Sequence, residues 1–203
     1  MDGALPGRGS KLVDDFGLIL QIEPMEKFDT DFALRWWERN LADEERMARW
    51  LQKLQKTEYS GYADNLSAIE QWAGGNIAAE TVLRATAFDE LRHSDLLVEL
   101  LNKRGLSTED EQPESIYWSE MDKVIVDLSS CAAVFHLGEQ LAVDRFNVIA
   151  SHPDTPADIM AFLTAVIPDE DYHARSFRKL TDDETLSRIV QTHYKIVERL
   201  KSR

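Results

Sequence analysis

The chain has 203 residues, 43% of them hydrophobic and 30% charged, which is enough for one domain with a full apolar core. A net charge of −14 argues against a general phosphate-binding surface, so nucleic acid is not an expected partner. The single cysteine, Cys131, excludes an intramolecular disulfide and a paired-thiolate metal site, and suits a reducing cytoplasm.

Residues 1–29, punctuated by Gly and Pro, read as an arm ahead of a helical domain at 30–203. They show no apolar leader after a basic start, and no run in the chain nears the roughly 18 apolar residues of a membrane span. No membrane partner is therefore expected. Thr30 or Asp31 is the expected cap of a first helix running through Trp36 and Trp37.

A long helix is predicted over 42–72, with Met47, Trp50, Leu51, Leu54, Tyr62, Leu66 and Ile69 on one face. Glu58 shares that face. Gly74-Gly75-Asn76 allows only an antiparallel return into a second long helix at 77–103, with Thr86, Glu90 and His93 on its apolar stripe and Gly105 as the stop. An irregular acidic stretch at 106–120 carries Pro113. A third long helix is expected over 121–150, aligning Ala132, Phe135, Glu139, Val143 and Phe146. After the turn at 152–156 comes a fourth at 157–180, which Pro168 should kink or locally unwind. A last helix opens at Thr181 with a capping box completed by Glu184. Two antiparallel pairs joined by one long crossover, with flanking N- and C-terminal helices, make an all-α four-helix bundle.

The chemistry lies in a repeat. Asp89-Glu90-Leu91-Arg92-His93 returns as Asp169-Glu170-Asp171-Tyr172-His173, and each copy sets a Glu and a His one helical turn apart. Glu58 precedes Glu90 by 32 residues, and Glu139 precedes Glu170 by 31. Four carboxylates and two imidazoles would thus meet midway along four helices. Burying four bare carboxylates together is prohibitive, whereas two divalent cations neutralise them. Oxygen and nitrogen donors without thiolate suit iron, manganese or a mixed pair, and such a site suits two-electron redox chemistry. The expected ligands are Glu58, Glu90, His93, Glu139, Glu170 and His173.

Asp89 and Asp169 each stand four residues before a histidine, so each is expected to hold the imidazole of its own helix, with Arg92 pairing with an acid there. His136, one turn before Glu139, is either a further ligand or a neighbour of the ligands. Thr86 either bonds back to the Val82 carbonyl or reaches a ligand carboxylate. Tyr62 is a core aromatic or lines the pocket. Trp36, Trp37, Trp50 and Trp72 are packing anchors, Tyr172 points away from the ligands, and His152 and His193 belong to surface or packing.

The order Glu, Glu-x-x-His, Glu, Glu-x-x-His over about residues 42–180 resembles the ferritin-like di-iron carboxylate superfamily. That resemblance implies two bound irons, with Glu90 and Glu170 bridging. The Asp89–Leu97 segment looks like its counterpart in di-iron monooxygenases and acyl-carrier-protein desaturases, while the compact size is closer to rubrerythrin-like proteins. Where rubrerythrins place an additional Glu before the third ligand, this chain has His136. The expected function is a cytoplasmic di-iron oxygenase or oxidase, with Glu58, Glu90, Glu139 and Glu170 at the reacting centre. It would use dioxygen, a small organic substrate and an electron-donating reductase or ferredoxin, as a monomer or homodimer. A ferroxidase, an iron-storage protein and a rubrerythrin-like peroxide scavenger are the alternatives.

Overall fold

A computed structural model describes residues 28–108 and 115–202, so the expected arm, up to residue 27, and Pro113 lie outside the described residues. Every regular element among the described residues is helical: α1 (Thr30–Leu41), α2 (Glu44–Ala68), α3 (Ile77–Lys103), α4 (Ile116–Asp122), α5 (Leu128–Ser151), α6 (Ala157–Arg178) and α7 (Asp183–Lys201). The predicted all-α ferritin-like bundle is present. None of these helices is long and apolar enough to cross a membrane.

The helix starts are set by carboxylates and amides that reach free backbone N–H groups. Asp29 caps α1 by accepting from the Phe32 amide at 2.9 Å, so Thr30 and Asp31 lie inside the first turn rather than at the cap. Asp43 caps α2 and Asn76 caps α3. The expected box at Thr181 and Glu184 is replaced by Asp182, which accepts from the Thr185 amide at 2.8 Å. Thr181 is engaged elsewhere: its hydroxyl lies 3.2 Å from that of Ser129, and its carbonyl accepts from Arg178.

The third long helix begins at Leu128, later than its apolar pattern suggested. Asp127 and Ser130 cap each other's backbone there, which breaks the run from Met121. The residues ahead of it form α4, inside the stretch expected to be irregular. Tyr117 and Met121 of α4 are buried against Ala133, Val134 and Leu137 of α5 and Ile189, Val190 and Ile196 of α7. Gly138 permits this close approach, because a Cβ there would overlap the Trp118 ring. At the far end of α2 the helix widens into a π turn, Ile69–Ala73, before the left-handed Gly74 and Gly75 reverse the chain. Helix α6 runs unbroken through Pro168, so the proline does not unwind it.

Two hairpins, α2/α3 and α5/α6, pack as the four-helix core, with α3 and α6 antiparallel across its centre. One end of the core is dominated by apolar side chains: Trp37, Leu51, Leu97, Phe146, Ile159, Phe162, Leu163 and Val166 are all buried together. Trp36, Trp37 and Trp50 pack mutually there, as anchors. The opposite end is smaller, built on Ala68, Ala79, Leu83, Cys131 and Phe177. Between the two ends lies a belt of acids and histidines.

The expected apolar face of α2 is turned by polar pairing. Met47 and Leu51 are buried, but so are Gln52, Gln55 and Asn65, while Trp50, Leu54 and Tyr62 are only partly covered. Each buried amide has a bond that offsets its desolvation. Gln52 donates to the Ser107 carbonyl at 2.8 Å, Gln55 to the Ser94 hydroxyl at 3.0 Å and Asn65 to the Gly61 carbonyl at 2.9 Å. Tyr62 instead meets the exposed Phe88, their ring centroids 6.5 Å apart.

Candidate metal centre

All six expected ligands converge. Ligand atoms of Glu58, Glu90, His93 and Glu170 lie within 4.8 Å of one another, and so do those of Glu90, Glu139, Glu170 and His173. Glu90 and Glu170 belong to both sets, so the six side chains could hold two ions with these two carboxylates common to both. The helices dictate it: in each hairpin one helix supplies a bare Glu, and the other supplies Glu and His from adjacent turns of one face.

The inward atoms are close but not hydrogen-bonded. His93 Nδ1 lies 3.0 Å from Glu170 Oε1 and 3.5 Å from Glu58 Oε2, and His173 Nδ1 lies 3.5 Å from Glu90 Oε1. Yet His93 Nδ1, His173 Nδ1, Glu90 Oε1 and Glu170 Oε1 are all buried without a hydrogen-bond partner. Four orphaned donor atoms aimed at one another are costly for a protein and suited to a cation. The donor set therefore fits two metal ions of the kind that accept carboxylate and imidazole.

Electrostatics point the same way. Burial, then the charges of Glu58, Glu139 and Glu170, push the Glu90 carboxyl well above its usual range. Burial and Glu170 do the same to Glu139, and burial raises Glu58. Burial opposes ionisation of Glu170 too, but the His93 imidazole outweighs it and holds that carboxyl low. Burial lowers His93, yet Glu170 and Glu58 overcome it and raise the imidazole to about 10. Protons stand in for missing positive charge.

The outer nitrogens carry a correction. Each aspartate was expected to hold the histidine of its own helix; instead the pairs cross. His93 Nε2 lies 3.2 Å from Asp169 Oδ2, and His173 Nε2 lies 3.2 Å from Asp89 Oδ2. With Nδ1 aimed inward, Nε2 points off its own helix and across the α3–α6 contact, where the antiparallel partner presents its aspartate. Arg92 closes the brace by donating to Asp169 at 2.5 Å and to Asp89 at 3.3 Å. This brace is the surface-facing side of the site, since the Arg92 side chain is about half exposed.

His136 belongs to neither ligand set. Its Nδ1–H donates to the Ala174 carbonyl at 2.9 Å, joining α5 to α6 beside His173. Thr86 does not bond back to Val82: its hydroxyl is buried with no partner. Tyr172 is exposed and turned away, as expected. His152 lies in its turn, accepting from the Asp154 amide, while His193 is buried against the Tyr117 hydroxyl at 2.9 Å.

One residue that shapes the site escaped the sequence reading. Gly61 sits one turn beyond Glu58, and a Cβ there would come within 2.8 Å of Glu90 Oε2. A glycine inside a strongly helical run was the available signal. Gly61→Ala should leave the metal-free fold at least as stable, because alanine favours helix by about 1 kcal/mol. It should weaken metal binding about tenfold or more by displacing a shared ligand. Thermal unfolding without metal and calorimetric titration with Fe(II) check the two halves; unchanged affinity would remove Gly61 from the site.

The comparisons with known proteins come down on this same region. The rubrerythrin family model matches residues 56–181, more than half of the chain and inclusive of all six ligand positions, with α1 and α7 outside it. No curated protein and no solved structure matches. With the Glu, Glu-x-x-His pattern folded twice into one carboxylate–histidine cluster inside the matched span, the chain belongs to the rubrerythrin family of ferritin-like di-iron proteins.

Proposed function

We propose that this chain is a di-iron peroxidase, reducing hydrogen peroxide to water with electrons from a separate donor protein. Two overlapping ligand sets inside a rubrerythrin-family domain carry the reading. Two ferrous ions held there would supply the two electrons that H₂O₂ + 2H⁺ + 2e⁻ → 2H₂O requires. Manganese or a mixed pair satisfies the same donors, so iron is itself part of the proposal.

The chain's own residues do the remaining work. Glu90 and Glu170 tie the two positions together, and Glu58, Glu139, His93 and His173 complete them. Asp89, Asp169 and Arg92 fix the orientation of both imidazoles. The apolar end of the bundle shields one side of the centre from water. No redox cofactor fingerprint accompanies the site in the sequence, so a reductase or ferredoxin-like partner would return the electrons. The lone buried thiol of Cys131, pushed up to about 12 by burial and the nearby Asp122, suits the cytoplasm.

A second reading is an oxygenase or oxidase that uses dioxygen on a small organic substrate, and the Arg92–aspartate brace favours it. The test is anaerobic loading with Fe(II), metal analysis, then mixing with either oxidant. Rapid oxidation of the reduced centre by stoichiometric peroxide, with sluggish reaction toward dioxygen, is expected. The reverse order would favour the oxygenase, and continuing uptake of excess iron would favour storage.

A further inference from the structure

The two hairpins repeat their ligands but differ in one layer. Next to the metal belt, toward the Gly74–Gly75 turn, Asn65 of α2 and Thr86 of α3 are 4% and 1% exposed. The corresponding positions of the second hairpin, 81 residues on from Asn65 and 80 on from Thr86, are Phe146 and Val166, buried in the apolar end. The antiparallel register puts the polar pair together. Gln55 meets Ser94 and Gly61 meets Glu90, so Asn65 falls opposite Thr86 one turn further along.

Both side chains have unused capacity. The Asn65 amide nitrogen donates to the Gly61 carbonyl, which fixes the amide and leaves Oδ1 without a partner. The Thr86 hydroxyl has none either. A buried carbonyl oxygen and a buried hydroxyl both left open are a liability in a packed core. Ala132 and Ser176, both small and buried, lie on the same side of the belt, alongside Leu83 and Phe177. Asn65 Oδ1 can only accept, so its ligand must offer a hydrogen-bond donor. Thr86 can donate to a second oxygen. Dioxygen has no proton to give, whereas hydrogen peroxide has two O–H groups on adjacent oxygens.

We propose that Asn65 and Thr86 form a binding site for hydrogen peroxide beside Glu90, selecting it over dioxygen. The proposal rests on the peroxidase reading and names the residues that give it its selectivity. It is tested with Thr86→Val, which keeps shape and removes the hydroxyl, with Asn65→Leu, and with Thr86→Ser as the conservative control. In reduced iron-loaded protein at equal iron content, oxidation by peroxide should slow about tenfold in the first two variants, the value of one well-placed hydrogen bond. Thr86→Ser should stay near the unaltered protein, and oxidation by dioxygen should change little in any of them. Equal slowing toward both oxidants, or no slowing, overturns the site. If the unaltered protein itself fails to react with peroxide, the peroxidase reading falls instead. A readout free of turnover is a crystal of the redox-silent dizinc form soaked in hydrogen peroxide. Two-atom density spanning Asn65 Oδ1 and Thr86 Oγ1 is expected; a single water there overturns the proposal.

Discussion

Glu90→Ala should leave the protein with essentially no tightly bound metal, whereas Glu139→Ala should retain about one ion per chain. The difference follows from membership: Glu90 and Glu170 are in both ligand sets, while Glu58 and His93 are in the first only and Glu139 and His173 in the second only. Removing a shared carboxylate strips both positions of a donor and of a neutralising charge. Removing an unshared one leaves the other position with its own Glu, its own His and both bridges. The fold should survive either change, since burial works against ionised Glu90 in the metal-free chain. Metal analysis after gel filtration, with circular dichroism as the check on folding, reads the outcome. Two irons per chain in Glu90→Ala would sink the ligand assignment, and complete loss in every single variant would sink the division into two sets.

The metal-free protein should be stabilised, not destabilised, by removing its own functional charges. Glu58, Glu90 and Glu139 have raised pKa values, so each contributes stability present below the unfolded carboxylate value of about 4.5, lost as pH rises through the folded one. His93, raised to about 10, likewise helps most below about 6.5 and loses its contribution as pH climbs through 10. Glu170 is lowered and runs the other way, losing its contribution as pH falls below about 4.5. In metal-free form, Glu90→Gln/Glu139→Gln should therefore melt above the unaltered protein at pH 8, with the gap closing toward pH 4.5. The buried His193, lowered to about 4 by desolvation, is common to both chains and cancels. Adding metal reverses the order, because only the unaltered protein binds it. At about a thousandfold excess over Kd, the gain of about 4 kcal/mol corresponds to a Tm rise of roughly 10 °C. Binding should release protons and tighten as pH rises. A metal-free double variant no more stable at pH 8 would contradict the picture of a charge-frustrated belt.

The carboxylate–histidine cluster was legible because a site of this kind is written in helical arithmetic. Glu-x-x-His needs one face of one helix, and its repetition fixes which four helices must meet. The hairpin turns were legible for a similar reason, since Gly74-Gly75-Asn76 leaves no room for anything but reversal. What was hidden depends on directions that spacing does not encode. Asp89 and His93 do share a face, yet the ring nitrogen left over after ligation points away from that helix, so its partner lies on α6. The cap of α1 fell on Asp29 because a side chain one position earlier had the better reach to the Phe32 amide. Helix α4 was lost in an acidic stretch whose buried residues, Tyr117 and Met121, are too few to show periodicity. Thr86 was readable as a polar group on its helix stripe, but its pairing with Asn65 was not, because absence of a partner is a property of three dimensions.

The crossed aspartates have a consequence for the symmetry of the molecule. Residue 89 of one hairpin holds residue 173 of the other, and residue 169 holds residue 93 in return. Reciprocal contact of that form is the signature of an isologous interface between identical units. Neither hairpin orients its own histidine, so neither can assemble half a site alone. The bundle has the internal logic of a two-fold pair of helical hairpins carried on one chain. The halves are not identical, as at Arg92 against Tyr172 and Thr86 against Val166. The near-symmetric frame therefore presents two distinguishable sides.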